Sequence, residues 1–226
     1  MNELDAKPSI CLRTRCYSGY LDQHDFIERY LFIKRRISNS LTREELAFLL
    51  GRTPYFTNDY EEMSNTTKLD LNDMDLLNLT LKRSFTGGLS FDKKDGLHDI
   101  SHEKRMVRVT RYEYADKLEY VFNHRWVEYG ANKPLKLIEP VFQPADDGGE
   151  QVRLITNELT KLLAERYFNT KRSPLDIYLM VWTAHKYRSS AWSILHLKNL
   201  IYELIRTEKL RMSNFNGHFV YQTRIN

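Results

Sequence analysis

The chain has 226 residues, enough for one large or two small domains with a sizeable buried core. Hydrophobic residues make up 42% and charged residues 28%, values that indicate a globular chain and exclude a disordered one. The net charge of +4 permits nucleic acid as a partner without requiring it. The N-terminus has no secretory pattern and no apolar run approaches the roughly 20 residues that span a bilayer, so we expect a cytoplasmic protein. Cys11 and Cys16 are too few for a four-ligand zinc site and are expected to be free thiols.

The start of the chain predicts a polar segment followed by one helix. Two arginines and two tyrosines indicate either a basic arm that touches a phosphate backbone or a solvated tail whose tyrosines pack locally. These residues are Arg13, Arg15, Tyr17 and Tyr20. Apolar residues then recur at helical spacing and predict an amphipathic helix. They are Phe26, Ile27, Tyr30, Leu31, Ile33 and Ile37. The basic residues 34–36 at its far end either complement the helix dipole or contact phosphate.

The next stretch predicts two short helices joined by a tight turn. Thr42 and Glu45 have the spacing of a capping box at the start of the first helix. Gly51 can adopt the left-handed conformation that ends this helix. Thr53 can cap a second helix, and Pro54 suits its first position because no hydrogen bond is lost there.

Several residues of this stretch form a recognisable pattern. They are Leu41, the run Glu44-Glu45-Leu46-Ala47, Leu49-Leu50-Gly51, Arg52-Thr53-Pro54, Phe56 and Glu61. With the flanking helices, residues 24–85 resemble the Cro/repressor-type (XRE-like) helix-turn-helix domains. The second helix of such domains lies in the major groove of duplex DNA. The resemblance implies a set of DNA-facing residues and one phosphate contact. They are Arg52, Pro54, Tyr55, Asn58 and Asp59, with Thr53 as the phosphate contact.

The acidic character of the predicted second helix favours a different partner. Asp59, Glu61 and Glu62 follow Arg52 without a further basic residue, whereas phosphate attraction normally supplies much of the affinity for DNA. This acidic face could instead attract a basic protein partner. Thr57 occupies a position that is usually apolar in the family.

The following stretch predicts one more helix and then a linker. Asp70 or Asn72 can cap a helix that ends near Phe85, and its many leucines indicate that it is well buried. Glycines mark residues 87–96 as a linker. His98 and His102 have the spacing of metal ligands on a helix, but the stretch lacks helical periodicity, so we expect a polar loop there.

Residues from 106 onward predict strands because apolar and polar residues alternate. The expected strands are 106–114, 118–122 and 135–138, and 123–129 could add a further strand or a short helix. Positive and aromatic residues are interleaved in this region. They are Arg108, Arg111, Lys117, Arg125 and Trp126. This set fits either a single-stranded nucleic-acid site or the solvated face of a half-buried sheet.

The last third of the chain predicts three helices and a hairpin. Apolar residues recur at helical spacing over about 152–166, 175–185 and 193–205. Ser173 can cap the second helix, which Pro174 starts. Asn216 and Gly217 predict a tight turn between two strands, because both residues tolerate positive φ.

This order of elements, with the run LxxLIxxLIRTEKL before the hairpin, resembles a winged-helix domain at residues 151–226. Residues 151–226 contain twelve Lys and Arg but only five Asp and Glu, so the basic part of the chain lies here. The resemblance implies that the third helix and the hairpin contact DNA. The residues implied are Lys186, Arg188, His196, Lys198 and Asn199, with Arg211 or His218 near phosphates. The same fold could also serve protein contact, with these charges solvated.

The sequence therefore predicts a mainly α protein with a smaller β component. The expected parts are an N-terminal helix-turn-helix helical domain (1–86), a linker with a small β-rich segment (87–150) and a C-terminal winged helix (151–226). No enzyme motif, cofactor motif or metal site is expected. The predicted function is a cytoplasmic DNA-binding transcriptional regulator. A palindromic target site would require it to act as a homodimer, because one helix-turn-helix reads only one half-site. The alternative is a non-catalytic protein-interaction module that uses DNA-binding folds as a scaffold.

Overall fold

A computed structural model describes residues 10–64, 66–81, 85, 101–124, 134–141, 148–184 and 193–224. The helices are α1 (Gln23–Ser38), α2 (Arg43–Leu49), α3 (Phe56–Glu61), α4 (Leu71–Thr80), α5 (Gly148–Ala164), α6 (Pro174–Ala184) and α7 (Ile194–Arg206). The strands are β1 (Arg13–Leu21), β2 (Arg105–Glu113), β3 (Lys117–Asn123), β4 (Leu135–Pro140), β5 (Leu210–Phe215) and β6 (His218–Thr223). Some predicted features lie outside the described residues. They are His98, the residues Arg125 and Trp126, and the basic residues Lys186 and Arg188, whereas His102 is described and exposed.

The described residues are 48% helical and 26% strand, so the fold is a mixed α and β one. The chain divides into two compact units, and each is built from three separate stretches. Unit 1 comprises Met1–Ser40, Asn58–Lys68 and Phe85–Gln143, and unit 2 comprises Leu41–Thr57, Leu69–Ser84 and Pro144–Asn226. Residues 1–86 thus contribute to both units, whereas 151–226 lies within unit 2. The arrangement of helix-turn-helix, β-rich segment and winged helix stays a prediction.

A four-stranded antiparallel sheet in the order β1-β2-β3-β4 organises unit 1. Val107 and Val109 of β2 are buried, while the residue between them is exposed, as the alternation in the sequence requires. Val109 pairs with Tyr17 of β1 on one side and with Phe122 of β3 on the other. The predicted strands at 106–114, 118–122 and 135–138 are confirmed.

Strand β1 corrects the prediction of a basic arm or tail at the start of the chain. Residues 13–21 form nine residues of regular strand along β2. Arg15 and Tyr17 lie on the partly buried side of β1, where Arg15 Nε is 3.1 Å from Glu113 Oε1. Arginine and tyrosine can occupy half-buried positions because their long stems are apolar and only their ends are polar. The alternation of apolar and polar residues that marks a strand is therefore not visible in the sequence of β1.

Helix α1 covers one face of this sheet. Asp22 accepts a hydrogen bond from the Asp25 amide at 2.8 Å and so caps the helix. Phe26 meets Phe122 of β3 edge to face at 6.4 Å between ring centroids, and Phe32 meets Tyr60 at 4.8 Å. These contacts build the core of unit 1, and the predicted amphipathic helix is confirmed.

In unit 2, helix α2 begins and ends as predicted. The Thr42 hydroxyl accepts from the Glu45 amide at 3.1 Å, and the Glu45 carboxylate accepts from the Thr42 amide at 2.9 Å. This reciprocal pair is the predicted capping box. Gly51 has a φ of +65°, which confirms the left-handed conformation expected after the helix.

Helix α3 starts later than predicted and contains a buried threonine. Phe56 is its first residue, because the Phe56 amide bonds to the Thr53 carbonyl at 3.0 Å and residues 53–56 form a turn. Pro54 is therefore outside the helix. The Thr57 side chain is buried and donates to the Arg43 carbonyl at 2.8 Å, so its hydroxyl has a hydrogen-bond partner in the interior.

Helix α4 is capped by Asp70, which accepts from the Asp73 amide at 2.8 Å. The prediction that α4 is well buried is wrong. Leu71 is 85% exposed and Leu79 is exposed as well, whereas Leu77 is buried. The apolar residues are spread around this ten-residue helix, and only one side of it packs against the unit.

The C-terminal part of unit 2 contains three helices followed by a hairpin. Between α5 and α6, Arg172 forms a β-bridge with Tyr221 of β6 through backbone hydrogen bonds of 2.9 and 2.8 Å. Ser173 caps α6 by accepting from the Asp176 amide at 3.1 Å, and Ser193 caps α7. The predicted helices and the Ser173 cap are confirmed.

The C-terminal hairpin consists of β5 and β6, which pair from Leu210 with Thr223 to Phe215 with His218. Asn216 and Gly217 have φ angles of +51° and +84°, so the predicted tight turn is confirmed. No helix among the described residues has the length and apolar character needed to cross a membrane.

Candidate functional site

Helix α7 has one buried side and one exposed side. Ile194, Leu197 and Ile201 are buried in unit 2, as their helical spacing predicts. The opposite side leaves five side chains exposed. They are Leu195, Asn199, Tyr202, Glu203 and Arg206. Arg206 bonds to Glu203 at 2.6 Å, so Asn199 and Tyr202 are the polar groups of this face that are not part of an ion pair.

The residues that the winged-helix resemblance implied on α7 have different environments. Asn199 is exposed and His196 is half-buried. Lys198 is only 8% exposed, and its ammonium group bonds to the Glu44 carboxylate of α2 and lies 5.4 Å from the Tyr202 ring. This lysine is therefore held inside unit 2 rather than presented to a partner.

The C-terminal hairpin exposes basic and aromatic groups. Arg211 is exposed and donates to the Gln222 side chain at 3.3 Å. Near the turn, the Lys171 ammonium lies 4.5 Å from the centre of the exposed Phe215 ring. These positions keep two positive charges at the surface, of which only Arg211 was predicted.

The turn between α2 and α3 contributes exposed groups at Thr53 and Tyr55, the latter 71% exposed. Asn58 is half-buried and belongs to unit 1. Arg52 is the basic residue that was predicted to face DNA at this turn, and its guanidinium makes four hydrogen bonds within unit 2. The remaining implied contacts at this turn are therefore uncharged or acidic.

A compact group of four side chains, here termed the Arg52 cluster, joins this turn to α4 and the hairpin within unit 2. It consists of Arg52, Asp70, Asp73 and His218. Arg52 donates to Asp73 Oδ1 and Oδ2 at 2.9 and 2.6 Å and to Asp70 Oδ2 at 2.5 Å. It also donates to the Gly217 carbonyl in the hairpin turn at 3.0 Å.

His218 places an imidazole beside these carboxylates. Its side chain is 9% exposed, and Nδ1 lies 2.7 Å from the Leu50 carbonyl oxygen. Nε2 lies 3.6 Å from Asp70 Oδ2 and has no hydrogen-bond partner among the described residues. The amide of the following residue, Phe219, donates to the Gly51 carbonyl at 2.6 Å, so the hairpin backbone is joined directly to the turn after α2.

Charge within the cluster shifts its pKa values. Burial disfavours the charge on Arg52, but the hydrogen bond and charge of Asp73, and then those of Asp70, outweigh it and raise the pKa of the guanidinium. Desolvation likewise opposes ionisation of Asp70. The Asp73 amide and the Arg52 guanidinium outweigh it and lower the pKa of this carboxyl below its ordinary value of 3.8.

The stability of unit 2 should depend on pH through Asp70. Because the folded pKa lies below the unfolded value of 3.8, the stabilisation is fully present above that value and is lost as the pH falls through the folded pKa. We expect the difference in urea midpoint between the wild type and Asp70→Asn to be constant from about pH 5 to 7 and to shrink in more acidic buffer. Asparagine keeps the helix cap. A difference that persists unchanged to about pH 2 would contradict this assignment.

The predicted acidic face for a protein partner is not continuous at the surface. Asp59 is exposed and Glu62 is half-buried, but Glu61 is only 2% exposed. Within unit 1, the Glu61 carboxylate accepts from Arg36 Nε at 2.6 Å. Glu61 therefore belongs to a buried ion cluster, and this corrects its prediction as a partner-binding residue.

Arg36 is the centre of that cluster and is fully buried. Its guanidinium also donates to Glu139 of β4 at 2.5 and 2.9 Å, and Tyr120 donates to the same carboxylate at 2.5 Å. Burial disfavours the charge on Arg36, but Glu61 and Glu139 outweigh it and raise the pKa of the guanidinium well above its ordinary value. Of the basic residues 34–36, Arg36 lies in the last turn of α1 and is too deeply buried to contact a phosphate.

The basic and aromatic residues of the sheet are also divided between its faces. Arg108 is exposed, whereas Arg111 is buried and bonds to Glu113 at 2.8 Å. The interleaved set therefore does not lie on one face of the sheet.

Comparison with family models, with curated proteins and with solved structures finds no match to this chain. Its function is accordingly inferred from the geometry of the described residues.

The Arg52 cluster was missed in the sequence because its members are far apart in the chain. Asp70 was predicted only as a helix cap, and His218 only as a possible phosphate contact. A signal was present, since the carboxylates at the start of α4 and the histidine beside the Asn216-Gly217 turn each occupy structurally fixed positions. Their meeting depends on tertiary packing within unit 2.

Proposed function

We propose that the chain is a cytoplasmic, non-catalytic regulator of transcription that binds duplex DNA through helix α7 and the C-terminal hairpin of unit 2. The observation that carries this proposal is the order α5, bridge at Arg172, α6, α7 and hairpin, in which the bridge joins the start of α6 to β6 at a single residue pair. This is the order of elements in winged-helix domains, and α7 occupies the place of the helix that enters the major groove.

The exposed side of α7 supports the same function. Asn199 lies in the middle of that side, and asparagine can form two hydrogen bonds to adenine in the major groove. Tyr202 and half-buried His196 add further polar groups to it. Lys198 and Arg52 are not included in the proposed contact surface because carboxylates of unit 2 bind both of them.

The hairpin and Lys171, whose ammonium lies against the Phe215 ring of the hairpin, supply the charge that phosphate binding needs. Arg211 and Lys171 are exposed, and neither forms an ion pair with a described carboxylate in the structure. Phosphate contacts of this kind hold a protein on the duplex without specifying the sequence. The helix-turn-helix resemblance adds the exposed residues Thr53 and Tyr55, and a palindromic target would add a second copy of the chain.

The test is binding of the full chain to a random-sequence duplex, measured by fluorescence anisotropy over a range of salt concentrations. We expect the logarithm of the binding constant to fall linearly with the logarithm of salt concentration, by about 0.9 for each phosphate contact. Arg211→Glu should weaken binding and reduce this slope by about 1. The control is Arg153→Glu, which makes the same charge change at an exposed position of α5.

Two results would contradict the proposal. One is the absence of binding even at low salt, and the other is an equal loss for Arg211→Glu and Arg153→Glu. The first result would favour the protein-interaction function, for which unit 2 offers a specific feature. Leu179, Met180 and Trp182 of α6 are apolar residues with 37 to 42% of their surface exposed, and such exposed apolar groups are common in protein interfaces.

A further inference from the structure

The hydrogen bond made by His218 determines which of its ring nitrogens is available. The Leu50 carbonyl oxygen can only accept, so Nδ1, at 2.7 Å, carries the proton. In the neutral imidazole, Nε2 then presents a lone pair. This nitrogen is buried without a hydrogen-bond partner among the described residues. A backbone carbonyl bound to one nitrogen is also the arrangement that orients metal-binding histidines and leaves the other nitrogen as the ligand.

The distance from this nitrogen to Asp70 fits a shared metal ion. Nε2 and Asp70 Oδ2 are 3.6 Å apart, too far for a hydrogen bond. Two ligand atoms at about 2.1 Å from a tetrahedral ion are separated by about 3.4 Å. The ligand atoms of Asp70, Asp73 and His218 all lie within 4.8 Å of one another. We propose that Asp70, Asp73 and His218 form a zinc site in unit 2.

Arg52 does not exclude an ion from this position. Each carboxylate oxygen has two lone pairs. Arg52 takes one on Asp70 Oδ2, one on Asp73 Oδ1 and one on Asp73 Oδ2, which also accepts from the Asp70 amide. A second lone pair of Asp70 Oδ2 and of Asp73 Oδ1 is thus left for the ion. Two aspartates and one guanidinium leave one net negative charge in the cluster. A divalent cation changes the net charge of the cluster from −1 to +1, and it supplies a partner for the buried lone pair of Nε2. Water would fill the fourth position of the tetrahedral ion.

The donor atoms favour zinc over the other common divalent cations. Calcium and magnesium prefer sets made only of oxygen, while zinc binds an imidazole nitrogen together with carboxylates. A groove of about 250 Å³ provides a path for the ion, and His218 is among its lining residues. Asn72 and Asp75 of α4 lie on one side of the groove, and Phe215 and Asn216 of the hairpin lie on the other.

The test is calorimetric titration of the full chain with zinc chloride at neutral pH. It is made in a Cys11→Ser and Cys16→Ser background because these exposed thiols also bind zinc. We expect one ion per chain and a rise in melting temperature on binding. His218→Ala and Asp70→Asn should each weaken this binding at least tenfold. Asp70→Asn keeps the helix cap, so it provides the test if His218→Ala unfolds.

Two controls separate this site from other histidines. His196→Ala removes a half-buried imidazole on α7, and His98→Ala with His102→Ala removes the pair whose spacing alone resembles a metal site. Both controls should retain the binding. The proposal is overturned if no stoichiometric binding occurs in tenfold excess of zinc. It is also overturned if Asp70→Asn binds as the background does, or if the binding is lost only with His98 and His102. None of these readouts depends on DNA.

Discussion

Arg36→Ala should destabilise unit 1 by about 3–5 kcal/mol, because it leaves two buried carboxylates without their cation. The Arg36 guanidinium joins Glu61 at the end of α3 to Glu139 of β4, and both carboxylates are almost fully buried. Tyr120 alone cannot compensate two negative charges. The measurement is urea unfolding combined with amide hydrogen exchange of β3 and β4, which reports unit 1 even if the two units unfold separately.

A matched control and a compensating variant accompany this prediction. Lys34→Ala removes a cation from an exposed position of the same helix and should change stability by less than about 0.5 kcal/mol. Replacing Arg36, Glu61 and Glu139 together by methionine or leucine should recover most of the loss, because no unpaired charge stays buried. A loss below about 1 kcal/mol for Arg36→Ala would show that the cluster is solvated and not buried as described.

Gly51→Ala should destabilise unit 2 by about 2–4 kcal/mol. About 1 kcal/mol comes from placing a β-carbon at the left-handed φ of +65°, and about 1–3 kcal/mol comes from overpacking. The new β-carbon would lie 2.9 Å from the Phe219 carbonyl oxygen and 3.2 Å from the Phe219 nitrogen. Backbone atoms cannot rotate away as a flexible side chain does, so the hairpin itself must shift.

The control for this prediction is another glycine in unit 2. A β-carbon at Gly149 in the first turn of α5 meets no atom within 4 Å, and its φ is not left-handed. Gly149→Ala should therefore leave stability unchanged or increase it by up to about 1 kcal/mol. Both variants are compared by thermal unfolding at constant pH. Equal melting temperatures for the two variants would mean that β6 does not approach the turn as the structure describes.

The parts of the fold that the sequence predicted depend on neighbouring residues. The Thr42–Glu45 capping box, the left-handed Gly51, the Ser173 cap and the Asn216-Gly217 turn are each determined within a few positions. Their energetics are local, so residue type and spacing are enough to predict them. The alternation in β2 and the stripe on α7 are similarly visible in the sequence.

The parts that were missed depend on pairs of residues far apart in the chain. Strand β1 was hidden because arginines and tyrosines occupy its partly buried side, and its pairing with β2 spans a long stretch of sequence. Arg36 and Lys198 read as surface charges, and their burial follows only from the carboxylates that meet them. A buried charge requires such partners, and no pattern of neighbouring residues in the sequence predicts them.

The same distinction applies to the candidate site. The exposure of Asn199 and Arg211 could be predicted from the spacing of their apolar neighbours. The engagement of Arg52 with Asp70 and Asp73 could not, because helix α4 and the turn after α2 meet only in the folded unit. Arg52 and Lys198 are therefore not part of the proposed contact surface, which consists of the exposed side of α7 and the hairpin.

Photocrosslinking tests the proposed DNA-binding surface most directly. Asn199 on α7 is replaced by p-benzoyl-phenylalanine in the full chain, and Thr160, an exposed residue of α5, is replaced in the same way as the control. Both variants are irradiated with a random-sequence duplex at low salt, and crosslinked strands are counted on denaturing gels. The proposal predicts strong crosslinking from position 199 that decreases steeply with added salt, and little from position 160. Equal crosslinking from both positions, or none from position 199, would contradict DNA binding through helix α7.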